Sequence, residues 1–299
     1  MGQACQSLRR TRLSLRGAEH LKLQARAKVN LTLEVLGKRT DGYHEIASVM
    51  QALALHDTLT IEPSDDLSLV SNWPEMESAD NLVLRAARLL QRTVQIGQGA
   101  RFRLEKEIPL AAGLGGGSSD AAAALRGLNE LWGSHLSLSE LADLGGSIGS
   151  DVPFFIYDGT ALTEGRGDRV TPLPPLPKHW VVLVVPEVDI VHKTKHLYGL
   201  LSTDDYTSGA ATRAVAAALR SGVPPDRELF MNVFQRVAIE RFPQVRLWRD
   251  RMCQLGADTV WLAGSGPTLY TLLAEEEPAR RLGRSLEAEG GQVYVTWTV

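Results

Sequence analysis

The chain has 299 residues, 44% hydrophobic and 22% charged, with a formal net charge of -3; it is too long for one compact core, suits two lobes, and has the balance of a globular chain. No overall basic field favours nucleic acid, and the longest apolar stretch in a strand-like setting, Trp180–Val185, is far short of a membrane span, so neither partner is expected. Cys5 and Cys253 alone make neither a disulfide framework nor a zinc site.

Through Arg26 the chain carries Arg9, Arg10, Arg12, Arg16, Lys22 and Arg26 against Glu19. This stretch lacks the apolar core of a secretory signal. Residues 1–20 are expected to form a basic, disordered extension of a bacterial-type, cytoplasmic protein, in preference to a plastid-targeting peptide.

From Ala27, residues Val29, Leu31, Leu33 and Val35 alternate with polar or small neighbours, the pattern of a half-buried strand. Arg39 to His44 interrupts it with Asp-Gly turn chemistry, Ile46–Leu55 resumes an apolar pattern, and Thr58–Glu62 reads as a further strand. Asp80-Asn81 caps a predicted helix through Gln91, and Arg101–Glu107 alternates as a strand. A glycine-rich loop then runs into an alanine-rich helix, with Ser118 or Ser119 as its expected cap. A second helix follows Ser137, and Gly149-Ser150-Asp151-Val152-Pro153 leads to a predicted strand, Phe154–Tyr157. Prolines from Pro172 to Pro177 mark the expected lobe boundary. Beyond them the order is strand Trp180–Val185, helices near Lys193–Leu201, Glu228–Arg241 and Gln244–Leu255, strands Asp258–Ala263 and Thr268–Leu273, helix Glu276–Glu289 and strand Gln292–Thr298. With the extra helices set aside, this is the split βαβ arrangement of ferredoxin type. The expected fold class is therefore α/β (α+β) in two lobes, a strand-rich one over 21–171 and a second over 178–299.

The loop holds most of the chemistry. Pro109, Leu110, Ala111 and Ala112 lead into Gly113, Leu114, Gly115, Gly116 and Gly117, then Ser118, Ser119 and Asp120. Glycines before a helix let the backbone approach an anion, and the first helical N–H groups and the helix dipole favour a phosphate there. A flexible turn is the plainer reading of an isolated glycine pair. No lysine follows Gly117, which excludes a Walker A loop, and Ser118 stands where a dinucleotide fingerprint needs its third glycine.

The stretch Pro109-x3-Gly113-Leu114-Gly115-Gly116-Gly117-Ser118-Ser119 resembles the signature loop of the GHMP kinases. Ala27-Lys28-Val29-Asn30-Leu31 with Asp41-Gly42-Tyr43-His44, then Gly149–Pro153 and Leu262-Ala-Gly-Ser-Gly-Pro267, resemble motifs of the 4-diphosphocytidyl-2-C-methyl-D-erythritol kinase branch of that superfamily. Together they run in order from about Ala25 to Leu273. The resemblance implies a two-lobed fold and transfer of the ATP γ-phosphoryl group to the 2-hydroxyl of a cytidine-diphosphate methylerythritol, in the non-mevalonate isoprenoid pathway. It implies ATP as co-substrate, with Mg2+ bridging its phosphates, and no obligate protein partner. Two alternatives stand beside it: another small-molecule kinase of the superfamily, or a nucleotide-binding regulator without catalysis. Residues before about Leu21 have no counterpart in the family pattern. Between Pro186 and Tyr198 the chain keeps a Thr194-x3-Tyr198 spacing, with Lys193 where the family's pattern carries a serine.

On that resemblance Lys28 and Asp151 are the catalytic pair: the carboxylate takes or aligns the acceptor's proton beside a cationic partner. By position alone Lys28 would point to water, and Asp151 would be a cap or turn residue before Pro153. Asn30 shares the face of Lys28 and is placed at the acceptor. Tyr43 and His44, otherwise surface residues of a turn, become the cytosine site. Asn81 and Lys106 are candidates for the adenine end, against a helix cap and a solvated strand charge. Ser118 and Ser119 cap the helix, touch phosphate, or both. Asp120 either faces away from the triphosphate or meets magnesium through water.

Overall fold

The longest alternating region of the sequence becomes the hairpin around which the rest is arranged. In the computed structural model, which describes residues 20–188 and 193–299, β1 (Leu21–Lys38) pairs antiparallel with β2 (His44–Ser64). The expected extension before residue 20 and the stretch 189–192, between Pro186 and Tyr198, lie outside the described residues. Arg39 and Tyr43 close the turn through a 2.8 Å backbone bond, Asp41 Oδ1 accepts from the Tyr43 N–H at 3.1 Å, and Gly42 takes φ 87°. Register shifts lie at Arg26/Lys28, Asn30/Thr32 and Val35/Gly37, places where a long ribbon bends and wraps a core on each side.

Among the described residues the first sheet runs β3 (Leu67–Ser71), β4 (Gly99–Glu105), β2, β1 and β8 (Met231–Asn232), with β5 (Thr160–Gly165) on β2 and β6 (Arg169–Pro172) on β5. Against it pack α1 (Leu82–Val94), α2 (Gly116–Leu131), α3 (Leu138–Gly146) and α4 (Val152–Tyr157). The second sheet is β11 (Val293–Trp297), β7 (Trp180–Val184), β10 (Leu269–Leu273) and β9 (Trp261–Leu262), all antiparallel. With α7 (Phe234–Arg241), α8 (Pro243–Gln254) and α9 (Glu276–Ala288) between its strands, it is the split βαβ topology expected from the strand order. No helix among the described residues is long and apolar enough to cross a membrane.

Three expectations need correction. Phe154–Tyr157 is the body of α4 and not a strand. Pro153 sits at its first turn, where a missing N–H costs nothing, and a short apolar run alone cannot separate a buried helix from a buried strand. Helix α2 begins one turn earlier than expected: its N-cap is Gly115 at φ 76°, with no side-chain cap from Ser118 or Ser119. Finally, the boundary at the prolines is crossed by both the first sheet and the core. The helix α6 (Ala210–Arg220), absent from the predicted elements, packs on β1 and β2, and Met231–Asn232 pairs in parallel with Thr32–Leu33. The same apolar cluster holds Val29, Leu31 and Leu53 together with Val181, Leu183 and Tyr270.

β1 also differs from its expectation of a half-buried strand. Val29, Leu31 and Val35 are inaccessible, and so is the polar set between them: Lys28, Asn30, Thr32 and Glu34 are each 3% exposed or less. The glycine-loop backbone and the start of α6 cover that second face: the Lys28 N–H donates to Leu114 O at 3.0 Å, and the Thr212 N–H to Glu34 Oε2 at 2.7 Å.

Candidate active site

Four sequence-distant segments meet at Lys28. Its Nζ lies 3.5 Å from Asp151 Oδ2 and donates to Asn30 Oδ1 at 2.8 Å. Asp151 is the N-cap of α4 yet makes no side-chain cap bond, so its half-buried carboxylate is directed to Lys28 and away from the helix it precedes. The solvent-facing reading of Lys28 fails, because its strand has no open face.

The glycine loop crosses directly over this pair. A Cβ on Gly115, at φ +76°, would stand 2.7 Å from the Phe155 ring and 3.2 Å from Lys28 Cγ. One on Gly264 would stand 2.6 Å from Gly113 O and 3.0 Å from Lys28 Nζ. One on Gly113, at φ +86°, would stand 2.5 Å from Ala263 O and 2.6 Å from Gly266 O. These glycines are therefore required by the closeness of two backbones and a lysine stem. Gly116 has no positive φ; its constraint is the nearness of Ile108 and of Lys106 Nζ at 3.2 Å. The Gly116, Gly117 and Ser118 N–H groups precede the first intrahelical bond, from Ser119 to Gly115 O at 2.9 Å. That leaves an anion-ready helix start of 16 residues beside the Lys28–Asp151 pair. Ser118 faces Gly149, whose added Cβ would lie 3.7 Å from Ser118 Oγ, while Ser119 is buried.

Beneath the loop sits a second charged group. Lys106 is not a solvated strand charge: it is 6% exposed, its Nζ donates to Asp120 Oδ2 at 2.7 Å, and it makes a short contact with Asp57 Oδ2. Asp57 Oδ1 also accepts the Glu107 and Ile108 N–H groups at 2.7 and 2.8 Å. The Lys106 ammonium is committed to two carboxylates, and its backbone is bracketed by the Asn72 amide. Asp120 thus faces inward to Lys106. Its carboxyl is pushed up to about 7, chiefly by burial and further by the Asp57 charge, against the pull of Lys106. Burial lowers the Lys106 ammonium, but the two carboxylates outweigh it and raise the pKa. Asn81 is engaged as a helix cap, its Oδ1 accepting from the Val83 N–H and its Nδ2 donating to Met76 O, both at 2.8 Å.

At the other end of the site Tyr43 and His44 diverge. His44 stacks on Tyr198 with centroids 4.7 Å apart and meets Tyr206 edge-on at 6.1 Å. Burial, then Lys38, lowers its pKa, which favours the neutral imidazole with one donor and one acceptor. Burial raises the Tyr198 phenol, and the charge of Asp151 adds to the rise, so this ring shares the electrostatic field of the site. Tyr43 is 53% exposed, with Arg166 5.0 Å above its ring. A Cβ on neighbouring Gly167 would lie 3.8 Å from Ser150, which places this rim beside the Asp151 segment. Sequence reasoning passed over Arg166, Tyr206, Asp57 and Ser48, and met Tyr198 only as a spacing. An isolated aromatic or hydroxyl on a predicted helix or strand carries no local mark of its partner.

Comparisons with known proteins agree with this arrangement. Residues 81–159 match the GHMP kinases N terminal domain and residues 215–292 the GHMP kinases C terminal domain. The 4-diphosphocytidyl-2-C-methyl-D-erythritol kinase of Dehalococcoides mccartyi is 42% identical over 280 residues, covering 93% of this chain and 98% of its own. That of Geobacillus kaustophilus is 40% identical over 278 residues, covering 92% and 95%. A crystal structure of 4-(cytidine 5'-diphospho)-2C-methyl-D-erythritol kinase superposes with a TM-score of 0.79 at 34% identity, covering 93% of this chain and 99% of that one. Mevalonate kinase from L. major, at 16% identity and a TM-score of 0.68 over 96% of this chain and 98% of its own, shares the fold.

Two outcomes follow from this geometry. Gly113→Ala forces a side chain between two carbonyl oxygens at a φ that costs about 1–2 kcal/mol. ATP affinity measured by titration is expected to fall by about tenfold or more, while Gly97→Ala, with open space around it, leaves it unchanged. Asp120 binds its proton more tightly folded than unfolded, so its contribution to stability is present at low pH and is lost as pH rises from about 4 through about 7. Unfolding of wild type and Asp120→Asn across that window should show the variant gaining relative stability with pH, by at most about 1.4 kcal/mol per unit. A pH-independent difference would refute the buried proton.

Proposed function

The chain belongs to the 4-diphosphocytidyl-2-C-methyl-D-erythritol kinase family of the GHMP kinases, and from that premise we propose how its residues carry the reaction. It is an ATP-dependent kinase that phosphorylates the 2-hydroxyl of 4-diphosphocytidyl-2-C-methyl-D-erythritol, in the non-mevalonate route to isoprenoid precursors. The observation that carries the residue assignment is the convergence of the Lys28–Asp151 pair with the helix start under Gly113–Gly117.

The triphosphate lies against the N–H groups that open α2, with Ser118 at its side. A loop without Cβ atoms lets the phosphates come close to Lys28. Magnesium would come with the nucleotide, held mainly by the nucleotide itself at the start of α2, and would supply neutralisation of phosphate charge there. Among the described residues no group of three or more His, Cys, Asp or Glu is clustered to hold a metal by itself. Asp120, turned to Lys106, is not its ligand. Asp151 accepts or aligns the proton of the acceptor hydroxyl as that oxygen bonds to the γ-phosphorus and the bond to the bridging oxygen breaks, leaving ADP. Lys28 neutralises charge on the reacting oxygens, and Asn30 holds it there.

The cytosine end of the acceptor belongs at the hairpin turn. Tyr43 and Tyr198 offer aromatic faces, and a neutral His44 offers one donor and one acceptor to a base edge carrying both. Helix α5 (Lys193–Gly199) carries Tyr198 to His44 at this end of the site. A cytoplasmic setting, where ATP is made, accords with this reading.

Two measurements test it. With ATP and magnesium, turnover is expected on the cytidylyl acceptor and not on mevalonate, homoserine or galactose; comparable turnover of any of these would remove the cytosine site. Asp151→Asn keeps shape but loses the charge and the proton acceptor. Turnover should fall on the order of 10²- to 10⁴-fold with ATP affinity nearly intact, and near-wild-type turnover would take Asp151 out of the mechanism.

A further inference from the structure

The buried polar face of β1 has a direction, and one residue outside the motifs sets it. Lys28 Nζ donates to Asn30 Oδ1 at 2.8 Å, Asn30 Nδ2 donates to Ser48 Oγ at 2.8 Å, and the Ser48 hydroxyl donates to Thr32 O. The Thr32 carbonyl can only accept, so Ser48 gives it the single hydroxyl proton and turns a lone pair to Asn30. The amide must then present its NH2 to Ser48 and its oxygen to Lys28, an ammonium that can only donate. Were the amide reversed, NH2 would face the ammonium. The backbone of Asn30 is fixed separately, its carbonyl accepting from the Tyr270 hydroxyl at 2.7 Å. Ser48 is fully buried on β2, where its Cα pairs with Leu33.

We propose that Ser48 is a positioning residue for phosphoryl transfer: its hydroxyl fixes the orientation of the Asn30 amide, whose oxygen holds the Lys28 ammonium beside Asp151. The inference rests on the kinase reading given above. Ser48 acts through Asn30, and the quantity it controls is the placement of the cation at the reacting oxygens. Without the hydroxyl the amide is free to rotate, and the ammonium loses a fixed acceptor while nucleotide and acceptor sites stay in place. Loss of alignment at a reacting centre slows chemistry far more than it weakens binding.

The test compares wild type, Ser48→Ala and Ser48→Cys in the full chain, with folding checked by thermal unfolding. Cysteine fills the space of serine with a weak hydrogen-bonding sulfur, so it decides the matter where alanine leaves too large a void. Both variants are expected to lose about tenfold or more in kcat with KM for ATP and acceptor within about twofold. In an Asn30→Ala background the same substitutions should cost less than about twofold, because the group they orient is gone. A role in packing alone predicts a lowered thermal transition with normal kcat in the folded fraction. Either that result, or equal losses of kcat in both backgrounds, overturns the proposal while leaving the kinase reading in place; a wild-type chain without turnover overturns both.

Discussion

A lysine ammonium held inside a strand governs the architecture around it. Burying such a charge without partners costs several kcal/mol or more, so Lys28 requires a carboxylate and a polar neighbour within reach. Asp151 and Asn30 supply them. Its stem then lies close to where a Gly115 side chain would be and its ammonium close to where a Gly264 side chain would be, and the Lys28 N–H ties the loop to β1 through Leu114 O. The glycine motifs therefore allow two loops to close over one buried cation, and in the proposed reaction they would also admit an anion at the start of α2.

Lys106 shows the contrast. It too is a buried lysine, close to Gly116, but both of its partners are enclosed and the Asp57–Lys106–Asp120 group has an excess of one carboxylate when all are charged. Such a group suits a strut beneath the loop. The Lys28 pair keeps a half-buried carboxylate instead. The two lysines differ in the exposure of their partners.

Some of this was legible from residues alone. The alternation from Val29 to Val35 placed Lys28 and Asn30 on one face, as their hydrogen bond shows, and the strand and helix order past the prolines specified the second sheet's topology. Periodicity could not reveal that the polar face of β1 is also covered, because the cover comes from the glycine loop and from Thr212 on α6, far along the chain. Nor could it separate helix from strand in Val152–Tyr157, where nearly every residue is buried and no polar face sets a period. Lys106 reads as an outward strand charge until Asp57 and Asp120 are brought to it from opposite directions.

The amino-acid sequence by itself determined the local chemistry: which turns can form, where a glycine-rich helix start can receive phosphate, and which side chains share a strand face. Those depend on backbone sterics and on neighbours within a few residues. Only the tertiary structure decided which charges meet. Asp151 reaches Lys28, Tyr198 reaches His44, and Ser48 rather than solvent takes the Asn30 amide. Each pairing joins segments whose approach is set by how two long strands bend and what packs over them, and electrostatic partners are chosen by distance in space, for which separation along the chain is no guide.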